Sequence, residues 1–307
     1  MENILRCSNN MNKIGIVTVL YNSESVLDDF FRTLNEQTYH DFSLYIVDNC
    51  SSDAGVARAR ELANHCFFGT TIIAEPENWG VAKGNNIGIR QALADGCQYI
   101  LLANNDIVLN PQTIGILYDG LKKEHADMAV PKIKIYNTDL LWFAGGTFVW
   151  FKGGTKHWGF EMHDNPEFTY SKTITYAPTC FMLIKSEVFR KIGLMDEKYF
   201  VYFDDSDFVW RAVKNHKFKL VYIPDSQLMH KVSVSTGGIS SDFGIKYFSR
   251  NRWYFVRKNF PVAKKYTCML YMWLRSYIWK RIQLPREKYI SLIKAEAEGR
   301  KMTIEKF

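Results

Sequence analysis

The 307-residue chain has few cysteines and no long uninterrupted hydrophobic run. Its six cysteines, at positions 7, 50, 66, 97, 180 and 268, form no Cys-x-x-Cys pair and are too sparse for a disulfide scaffold, which indicates a reducing compartment. The opening MENILRCSNNMNK lacks the apolar core of a secretory signal. The most apolar late stretch, 267–279, is interrupted by Arg275 and is shorter than the roughly 20 residues of a spanning helix. We therefore expect no secretory signal and no transmembrane segment.

Several functional motifs are also missing from the sequence. There is no GxxxxGK[ST] phosphate loop, which removes support for P-loop ATPase chemistry. There is no RNP, KH or helix-turn-helix signature, so no nucleic-acid partner is predicted. We find no internal repeat and no low-complexity tract.

The composition predicts a folded protein whose charge is unevenly distributed. With 47% hydrophobic and 15% aromatic residues, the chain can bury a sizeable core, and disorder throughout is excluded. Residues 246–307 hold 16 Lys and Arg against 4 Asp and Glu, a net charge of +12, whereas residues 1–245 carry −5. This asymmetry directs the C-terminal tail towards an anionic partner such as lipid or nucleic acid.

Hydrophobic periodicity in the first half indicates alternating strands and helices. Apolar, β-branched runs predict strands at 14–20, 42–47, 70–74 and 99–103, and helices begin near Ser23, Ala54 and Ala82. This alternation is typical of βαβ units, so we expect a doubly wound α/β fold with parallel strands. The second half predicts a ribbon of short antiparallel strands at 142–176, a helix at 185–192, an acidic loop at 203–207 and a strand at 219–223.

Polar side chains follow three of the predicted strands. They are Asn22 after the first, Asp48 and Asn49 after the second, and Asn104, Asn105 and Asp106 after the fourth. Ligands of doubly wound sheets bind beyond the carboxyl ends of the strands, which locates the expected site. The 104–106 segment could ligate a hard divalent cation together with substrate phosphates, or it could simply form an Asx turn. Taken alone, the segment supports the two interpretations about equally.

Three further features carry candidate chemistry. The turn at 78–88 places glycines at a helix start. These glycines could let the backbone bind a phosphate or could simply allow close packing, and packing is the favoured interpretation when the turn is considered by itself. Asp204, Asp205 and Asp207 adjoin aromatic residues, which favours raised pKa values suited to a general base. The alternative is helix capping and pairing of Asp207 with Arg211, and we expect Asp207 to be structural and one of the others catalytic. His230 is a candidate metal ligand, although a lone histidine is more often only hydrogen-bonded.

The basic tail interleaves cations with aromatic residues. Leu270, Trp273, Leu274, Tyr277 and Arg281 recur at helical spacing, which predicts an apolar face flanked by cations. Such a helix suits the surface of an anionic membrane. Packing on the catalytic domain and a homodimer contact are the alternatives, and the two together have about the same weight as membrane contact.

Taken together, the motifs over about residues 13–261 resemble family-2 glycosyltransferases of the GT-A fold, and most closely the rhamnosyltransferase-like branch of bacterial surface-polysaccharide biosynthesis. The matching segments are Ile16 to Val19 with Tyr21 and Asn22; Val47 to Asn49 with Ser51 to Asp53; the 78–88 turn; Asn104 to Asp106; Phe181 to Ile184 with Ile192 to Glu197; Tyr202 to Asp207; Pro224 and Asp225 with His230 and Lys231; and Arg250 to Arg252.

The resemblance implies a doubly wound mixed α/β sheet and assigns roles to residues. Residues 13–110 would bind the nucleotide-sugar and 111–245 the acceptor, between a lead at 1–12 and the helical tail at 246–307. The implied donor-binding residues are Asn22, Asp48, Asp53, Asn78, Gly80, Lys83, Asn86, Asn104 and Asn105. Asp106 and His230 would ligate Mg²⁺ or Mn²⁺. Asp205 would be the base, with Asp204 beside it holding donor or acceptor hydroxyl groups.

The sequence thus predicts an inverting, cation-dependent glycosyltransferase at the inner face of the plasma membrane. Its donor would be a dTDP- or UDP-linked sugar, with rhamnose as the branch-level expectation, and its acceptor a saccharide or lipid-linked saccharide. One rival is a non-catalytic, glycosyltransferase-like membrane scaffold. The other is a nucleotidyltransferase, which would need a glycine-rich loop where the chain has Leu20 to Glu24.

Overall fold

A computed structural model describes residues 13–231 and 241–304. The predicted N-terminal lead at 1–12 lies outside the described residues. In chain order the strands are β1 (Ile14–Leu20), β2 (Phe42–Asp48), β3 (Gly69–Ala74), β4 (Tyr99–Ala103), β5 (Ile107–Leu109), β6 (Met128–Ile135), β7 (Leu141–Phe143), β8 (Gly146–Val149), β9 (Gly154–His157), β10 (Lys172–Ile174), β11 (Phe181–Lys185) and β12 (Leu220–His230). The α-helices are α1 (Glu24–Asn35), α2 (Gly55–Ala63), α3 (Gly80–Ala94), α4 (Thr113–Lys123), α5 (Ser186–Ile192), α6 (Asp204–Trp210), α7 (Asp242–Asn259), α8 (Val262–Leu274), α9 (Arg281–Gln283) and α10 (Arg286–Lys301).

One large mixed sheet organises the molecule. Its strands run in the order β10-β12-β6-β11-β4-β1-β2-β3, with β5 paired to β12 and β7 paired to β6. The four strands predicted from the first half pair in parallel, β4 with β1, β1 with β2 and β2 with β3, which confirms that prediction. Strand β11 is antiparallel to both of its neighbours, so the sheet is mixed.

Small residues allow helix α3 to lie directly against the parallel strands. A Cβ atom at Gly84 would come within 2.9 Å of a Val19 methyl group, and one at Gly88 within 2.5 Å of a Val17 methyl group. The packing interpretation of the 78–88 turn therefore accounts for these two glycines.

Two predicted elements differ in the structure. The acidic stretch at 203–207 is not a loop, because helix α6 begins at Asp204 and includes the carboxylates. Phe203 is the N-cap residue and makes no side-chain capping hydrogen bond, so the expectation of an aspartate at the N-cap position was wrong. The strand predicted at 219–223 continues to His230, since β12 pairs along its length with β6. The predicted antiparallel ribbon is present as the β8–β9 hairpin.

Helix α7 packs against the rest of the molecule through polar contacts. Asn251, which is fully buried, donates hydrogen bonds to the carbonyl oxygens of Val201 (2.8 Å) and Tyr202 (2.9 Å). Lys258 Nζ lies 2.7 Å from Asp196 Oδ2 and 2.9 Å from Asp207 Oδ1. The predicted division of the chain at residue 245 falls inside α7 and stays a prediction.

The later helices leave apolar side chains in solvent. The exposed ones include Tyr266, Leu270, Trp273, Leu274, Tyr277, Ile278 and Ile282. The helical prediction for this part holds, although residues Arg275–Lys280 form a π-helical segment between α8 and α9. Over the described ranges, no helix combines the length and the apolar character needed to span a bilayer.

Candidate active site

A large cleft opens beyond the carboxyl ends of β1 and β4. Its volume is about 1940 Å³. The predicted site residues that line it are Asn78, Gly80, Asn104, Asn105, Asp106, Asp204, Asp205 and His230. Asn105 connects the two strand ends, because its side-chain amide donates a 2.8 Å hydrogen bond to the carbonyl oxygen of Val19. The fold thus brings two carboxylate motifs, 104–106 and 204–205, to one cleft, although they lie far apart in the sequence.

Asp106 and His230 form a buried pair on one wall of this cleft. Asp106 directly follows the 104–105 turn, and His230 ends β12, where it is paired with Ile107 of β5. His230 Nε2 lies 3.0 Å from Asp106 Oδ1, and the backbone N–H of Lys231 donates to the Asp106 carbonyl oxygen at 2.8 Å. Strand pairing therefore fixes both side chains in position.

Three buried polar atoms of this pair have no partner among residues 13–231 and 241–304 beyond the pair itself. Asp106 Oδ1 and His230 Nε2 face only each other, at 3.0 Å, and His230 Nδ1 has no hydrogen-bond partner there. Burial acts to raise the pKa of Asp106, but the neighbouring His230 outweighs it and holds the pKa below its usual value. A carboxylate oxygen and an imidazole nitrogen are suitable ligands for a divalent cation. The described residues contain no cluster of three or more such ligands, so substrate oxygens would have to complete a coordination shell.

Asp204 and Asp205 form the first turn of α6 and face the same cleft. Asp205 Oδ2 accepts a 2.6 Å hydrogen bond from the Tyr176 hydroxyl, and Oδ1 accepts from the backbone N–H and the hydroxyl of Ser206. Burial raises the pKa of Asp205, although the Tyr176 and Ser206 hydrogen bonds oppose the shift. Burial and the Asp205 charge raise the pKa of Asp204 to about 8. Near pH 7 the interacting pair is therefore suited to holding a proton, and the pKa of about 8 assigns that proton to Asp204.

Cys180 lines the same cleft and senses the charges of both carboxylate motifs. Burial is the main reason that the pKa of its thiol is raised, and the charges of Asp106 and Asp205 both add to that shift. Its carbonyl oxygen also accepts a 2.8 Å hydrogen bond from the backbone N–H of Asn104. The Asp106–His230 pair and the Asp204–Asp205 pair therefore lie in the same part of the cleft.

A strained backbone segment presents the acidic pair. Tyr202 and Phe203 have φ angles of 63° and 68°, in the left-handed region that side-chain-bearing residues rarely adopt. The Asn251 amide holds the Tyr202 carbonyl oxygen on one side. On the other side, Val81 N–H donates a 2.7 Å hydrogen bond to the Phe200 carbonyl oxygen. Contacts from α7 and α3 thus fix the start of α6.

Asp207 has the structural role predicted for it. The residue is fully buried, and its Oδ2 accepts a 2.8 Å hydrogen bond from Arg211 Nε, as the sequence spacing predicts. Asn259 and Lys258 of α7 also donate to this carboxylate. Burial alone would raise the pKa of Asp207, but Arg211 and Lys258 hold it below its usual value. Asp207 is therefore a buried anion that attaches α7 to α6.

The other predicted donor-binding residues do not line the main cleft. Asp48 accepts hydrogen bonds at 3.3 Å from the Ser51 backbone N–H. Asn22 and Asp53 line a separate, smaller cavity, where Asn22 Oδ1 accepts from Ser52 N–H and Asp53 accepts from the backbone N–H of Glu24.

Lys83 and Asn86 lie on α3. Lys83 Nζ is 3.0 Å from the centre of the Trp79 ring. Asn86 is buried and exchanges 2.9 Å hydrogen bonds with the backbone of Met195. Each of these five residues makes contacts that stabilise a turn or a helix.

Sequence reasoning missed Tyr176, Asn251 and Lys258. Their partners, Asp205, the 201–202 carbonyl groups and Asp207, are all distant in the chain. The only available signal was the Arg250 to Arg252 motif, which contains Asn251 without indicating its partner.

A mixed α/β sheet with paired carboxylate motifs in one cleft defines a glycosyltransferase of the GT-A fold. Residues 15–193 match the model of the family described as Glycosyl transferase family 2. The chain therefore belongs to glycosyl transferase family 2.

Relatives and solved structures agree with this assignment. The chain is 25% identical over 273 residues to the dTDP-rhamnosyl transferase RfbF of Shigella flexneri, covering 88% of this chain and 86% of that protein. Its fold resembles S. aureus TarS 1-349 in complex with UDP-GlcNAc, with a TM-score of 0.63, 16% identity and coverage of 94% and 80%. The chain spans only 48% of a longer TarS chain. It also resembles the mannosyltransferase PcManGT from Pyrobaculum calidifontis in complex with GDP-Man and Mn2+, with a TM-score of 0.58, 12% identity and coverage of 93% and 73%.

Proposed function

We propose that the protein transfers a sugar from a nucleotide-diphosphate donor to an acceptor hydroxyl group, with inversion at the anomeric carbon. One observation carries this proposal: Asp106 and Asp205 line one cleft, where each acts on the pKa of Cys180. A site for the leaving diphosphate and a base for the incoming hydroxyl group must be close together for direct displacement.

In the proposed reaction the acceptor oxygen forms a bond to the anomeric carbon while the bond from that carbon to the diphosphate oxygen breaks. The electron pair of the broken bond leaves with the nucleoside diphosphate. Asp205 takes the proton of the acceptor hydroxyl group, and Tyr176 orients its carboxylate by donating to Oδ2. Asp204, protonated near pH 7, would donate a hydrogen bond to a donor or acceptor hydroxyl group. One carboxylate base suffices for inversion.

Asp106 and His230 would hold Mg²⁺ or Mn²⁺. Their buried, unsatisfied atoms fit a cation whose remaining ligands are diphosphate oxygens. When bound, the cation would supply positive charge next to the leaving phosphate. Support also comes from the resemblance to PcManGT, whose complex contains Mn2+.

Donor and acceptor follow from the relatives by analogy. The rhamnosyltransferase relative favours a dTDP-linked rhamnose donor, and the TarS complex favours a UDP-linked sugar as the alternative. Asn22, Asp48, Asp53, Asn78, Gly80, Lys83, Asn86, Asn104 and Asn105 remain proposed donor-site residues. The proposed acceptor is a saccharide or lipid-linked saccharide of a cell-surface polysaccharide.

The C-terminal helices are proposed to contact an anionic membrane from the cytoplasmic side. Support comes from exposed apolar side chains such as Trp273 and Ile282, the latter 84% exposed, in a tail that carries a net charge of +12. We keep residues 13–245 as the proposed catalytic unit and 246–307 as its extension. A homodimer formed through the same apolar face is the competing proposal.

The deciding experiment compares Asp205→Asn with wild type in a panel of nucleotide-sugars and Mn²⁺. Transfer should fall by about 10² to 10⁴-fold, because the base is removed, while UDP or dTDP still raises the melting temperature. Asp225→Asn, an exposed carboxylate on the same half of the chain, is the matched control and should keep full activity. Unchanged turnover in Asp205→Asn would remove the base from the mechanism. If neither wild type nor either variant showed a change in melting temperature with nucleotide, the scaffold function would be favoured.

A further inference from the structure

The cleft extends past the acidic pair into a region built by the C-terminal helices. We call this region the cationic arm. The charged residues that line it are Lys152, Arg252, Arg275, Lys280, Lys288 and Glu296. Five of the six carry positive charge, which is unusual for one end of a cleft that elsewhere presents carboxylates.

Two chains of contacts connect the cationic arm to the proposed base. Arg252 Nε donates a 3.0 Å hydrogen bond to the carbonyl oxygen of Lys152, just before β9. Strand β9 carries Thr155 next to Tyr176, the residue that donates to Asp205. Arg252 also directly follows Asn251, which holds the backbone leading into α6. A group bound at Arg252 would therefore lie in the cleft adjacent to the Asp205 side.

The cationic arm contains more cations than carboxylates among its lining residues. Burial and the charge of Arg275 lower the pKa of the Arg252 guanidinium to about 10. Arg275 and Lys280 form no ion pair with any carboxylate within the described ranges. Glu296 is the one carboxylate among the described lining residues of the arm, and burial raises its pKa while Ser276 donates to it. Like charges held together in a partly buried site are destabilising unless an anion joins them.

The donor does not account for this positive charge. Its diphosphate is proposed to lie at Asp106 and His230, whereas Arg252 is carried by α7, and Arg275 and Lys280 by the segment that follows α8. Arginine side chains in a fixed arrangement are well suited to phosphate oxygens, which they bind through paired N–H donors.

We propose that the cationic arm binds a phosphate or diphosphate group carried by the acceptor, and so selects phosphate-bearing acceptors. This inference rests on the proposed function, because it assigns the arm to the second substrate of the same site. The phosphate could belong to a lipid-borne or to a water-soluble sugar carrier, and the two sources share this recognition chemistry.

The test measures binding of inorganic diphosphate, farnesyl diphosphate and farnesol by thermal shift and calorimetry in EDTA, which removes divalent cations from the donor site. The arm variant is Arg275→Gln/Lys280→Gln, and Arg252 is left intact because it also supports Lys152. The matched control is Arg281→Gln/Lys294→Gln, which removes two exposed cations of the following helices α9 and α10 that do not line the cleft. Asp106→Asn reports on the donor site.

We expect diphosphate affinity to fall at least tenfold in the arm variant and to be unchanged in the control and in Asp106→Asn. Tighter binding of farnesyl diphosphate than of inorganic diphosphate, with no binding of farnesol, would support a lipid-borne phosphate. Equal affinity for the two diphosphates would support a water-soluble carrier. No diphosphate binding to wild type, or binding lost in Asp106→Asn but kept in the arm variant, overturns the proposal. UDP binding with Mn²⁺ tests the proposed function separately, since it should survive in the arm variant and weaken in Asp106→Asn.

Discussion

Gly80 lies directly against the backbone of Phe200, so that a Cβ atom on Gly80 would come within 2.3 Å of the Phe200 carbonyl oxygen. Gly80 begins α3, which packs on the parallel strands, whereas Phe200 leads into the acidic helix α6. The next residue, Val81, donates a 2.7 Å hydrogen bond to the same carbonyl oxygen. This contact joins the two halves of the site through their backbones.

Gly80→Ala should therefore impair catalysis and stability together. The residue has a φ of +79°, which alone costs an alanine about 1–2 kcal/mol, and the methyl group would also displace Phe200. Gly96→Ala is the matched control, because Gly96 has a φ of +81° and open space around it. We expect both variants to lose melting temperature and only Gly80→Ala to lose activity. Equal activity in the two variants would mean that the Phe200 contact does not position α6.

Asn251→Ala should slow turnover with little effect on donor binding. The substitution leaves the carbonyl oxygens of Val201 and Tyr202 without their donor, so the left-handed residues before α6 lose their support. We expect kcat to fall about tenfold or more while the KM for the nucleotide-sugar stays within about twofold. Asn64→Ala, at an exposed position, should change neither constant. A rise in donor KM with unchanged kcat would assign Asn251 to the nucleotide site instead.

Asp204→Asn should stabilise the protein in a manner that depends on pH. Because burial raises the pKa of Asp204 from 3.8 to about 8, the folded state binds more protons than the unfolded state between those values. Stability is therefore lost as pH rises through this window, and an asparagine does not suffer that loss. We expect the melting temperature of Asp204→Asn to exceed that of wild type by about 2 °C or more at pH 8 and to match it near pH 4.

Asp207→Asn, in the same helix, should change the stability with the opposite pH dependence. The pKa of Asp207 is lowered by Arg211 and Lys258, so its contribution is present above the unfolded pKa and is lost as pH falls. Asp207→Asn should therefore be less stable than wild type at pH 7, and the deficit should shrink in acid. Parallel pH profiles for the two variants would contradict the assignment of opposite shifts.

Lys258→Met should destabilise the protein by about 3–5 kcal/mol in urea unfolding, because it removes a buried cation from two buried carboxylates, of which Asp207 keeps Arg211 and Asp196 loses its ammonium partner. Lys258 Nζ lies 2.7 Å from Asp196 Oδ2 and 2.9 Å from Asp207 Oδ1. Lys123→Met removes an exposed lysine of α4 and should cost less than about 0.5 kcal/mol. A loss as small as that of the control would show that α7 is held by its apolar contacts alone.

The parallel half of the fold could be predicted from the sequence, and the attachment of the acidic helix could not. Runs such as Ile14–Leu20 alternate with helical patterns, and strand pairing then places Asp48 and Asp106 at one edge of the sheet. The start of α6 depends on Phe203 adopting a left-handed conformation, which no local preference of phenylalanine indicates.

Contacts between distant segments also explain why the partners of the acidic helix could not be identified from residue types alone. Tyr176 reaches Asp205 from the end of the ribbon region, and Asn251 reaches residues 201–202 from α7. These side chains are polar residues in otherwise ordinary segments, so only the folded arrangement identifies their partners. The roles predicted for the donor-binding residues remain predictions.

The buried pairing of Lys258 with Asp196 and Asp207 has a consequence for dissecting the protein. A polypeptide ending before α7 would lose the Lys258 ammonium group from both aspartates, which leaves Asp207 with Arg211 and deprives Asp196 of Lys258 and Tyr254. Such a truncated fragment should be recovered as misfolded or insoluble material, so biochemical work on sugar transfer needs the helical C-terminal part even when membranes are absent.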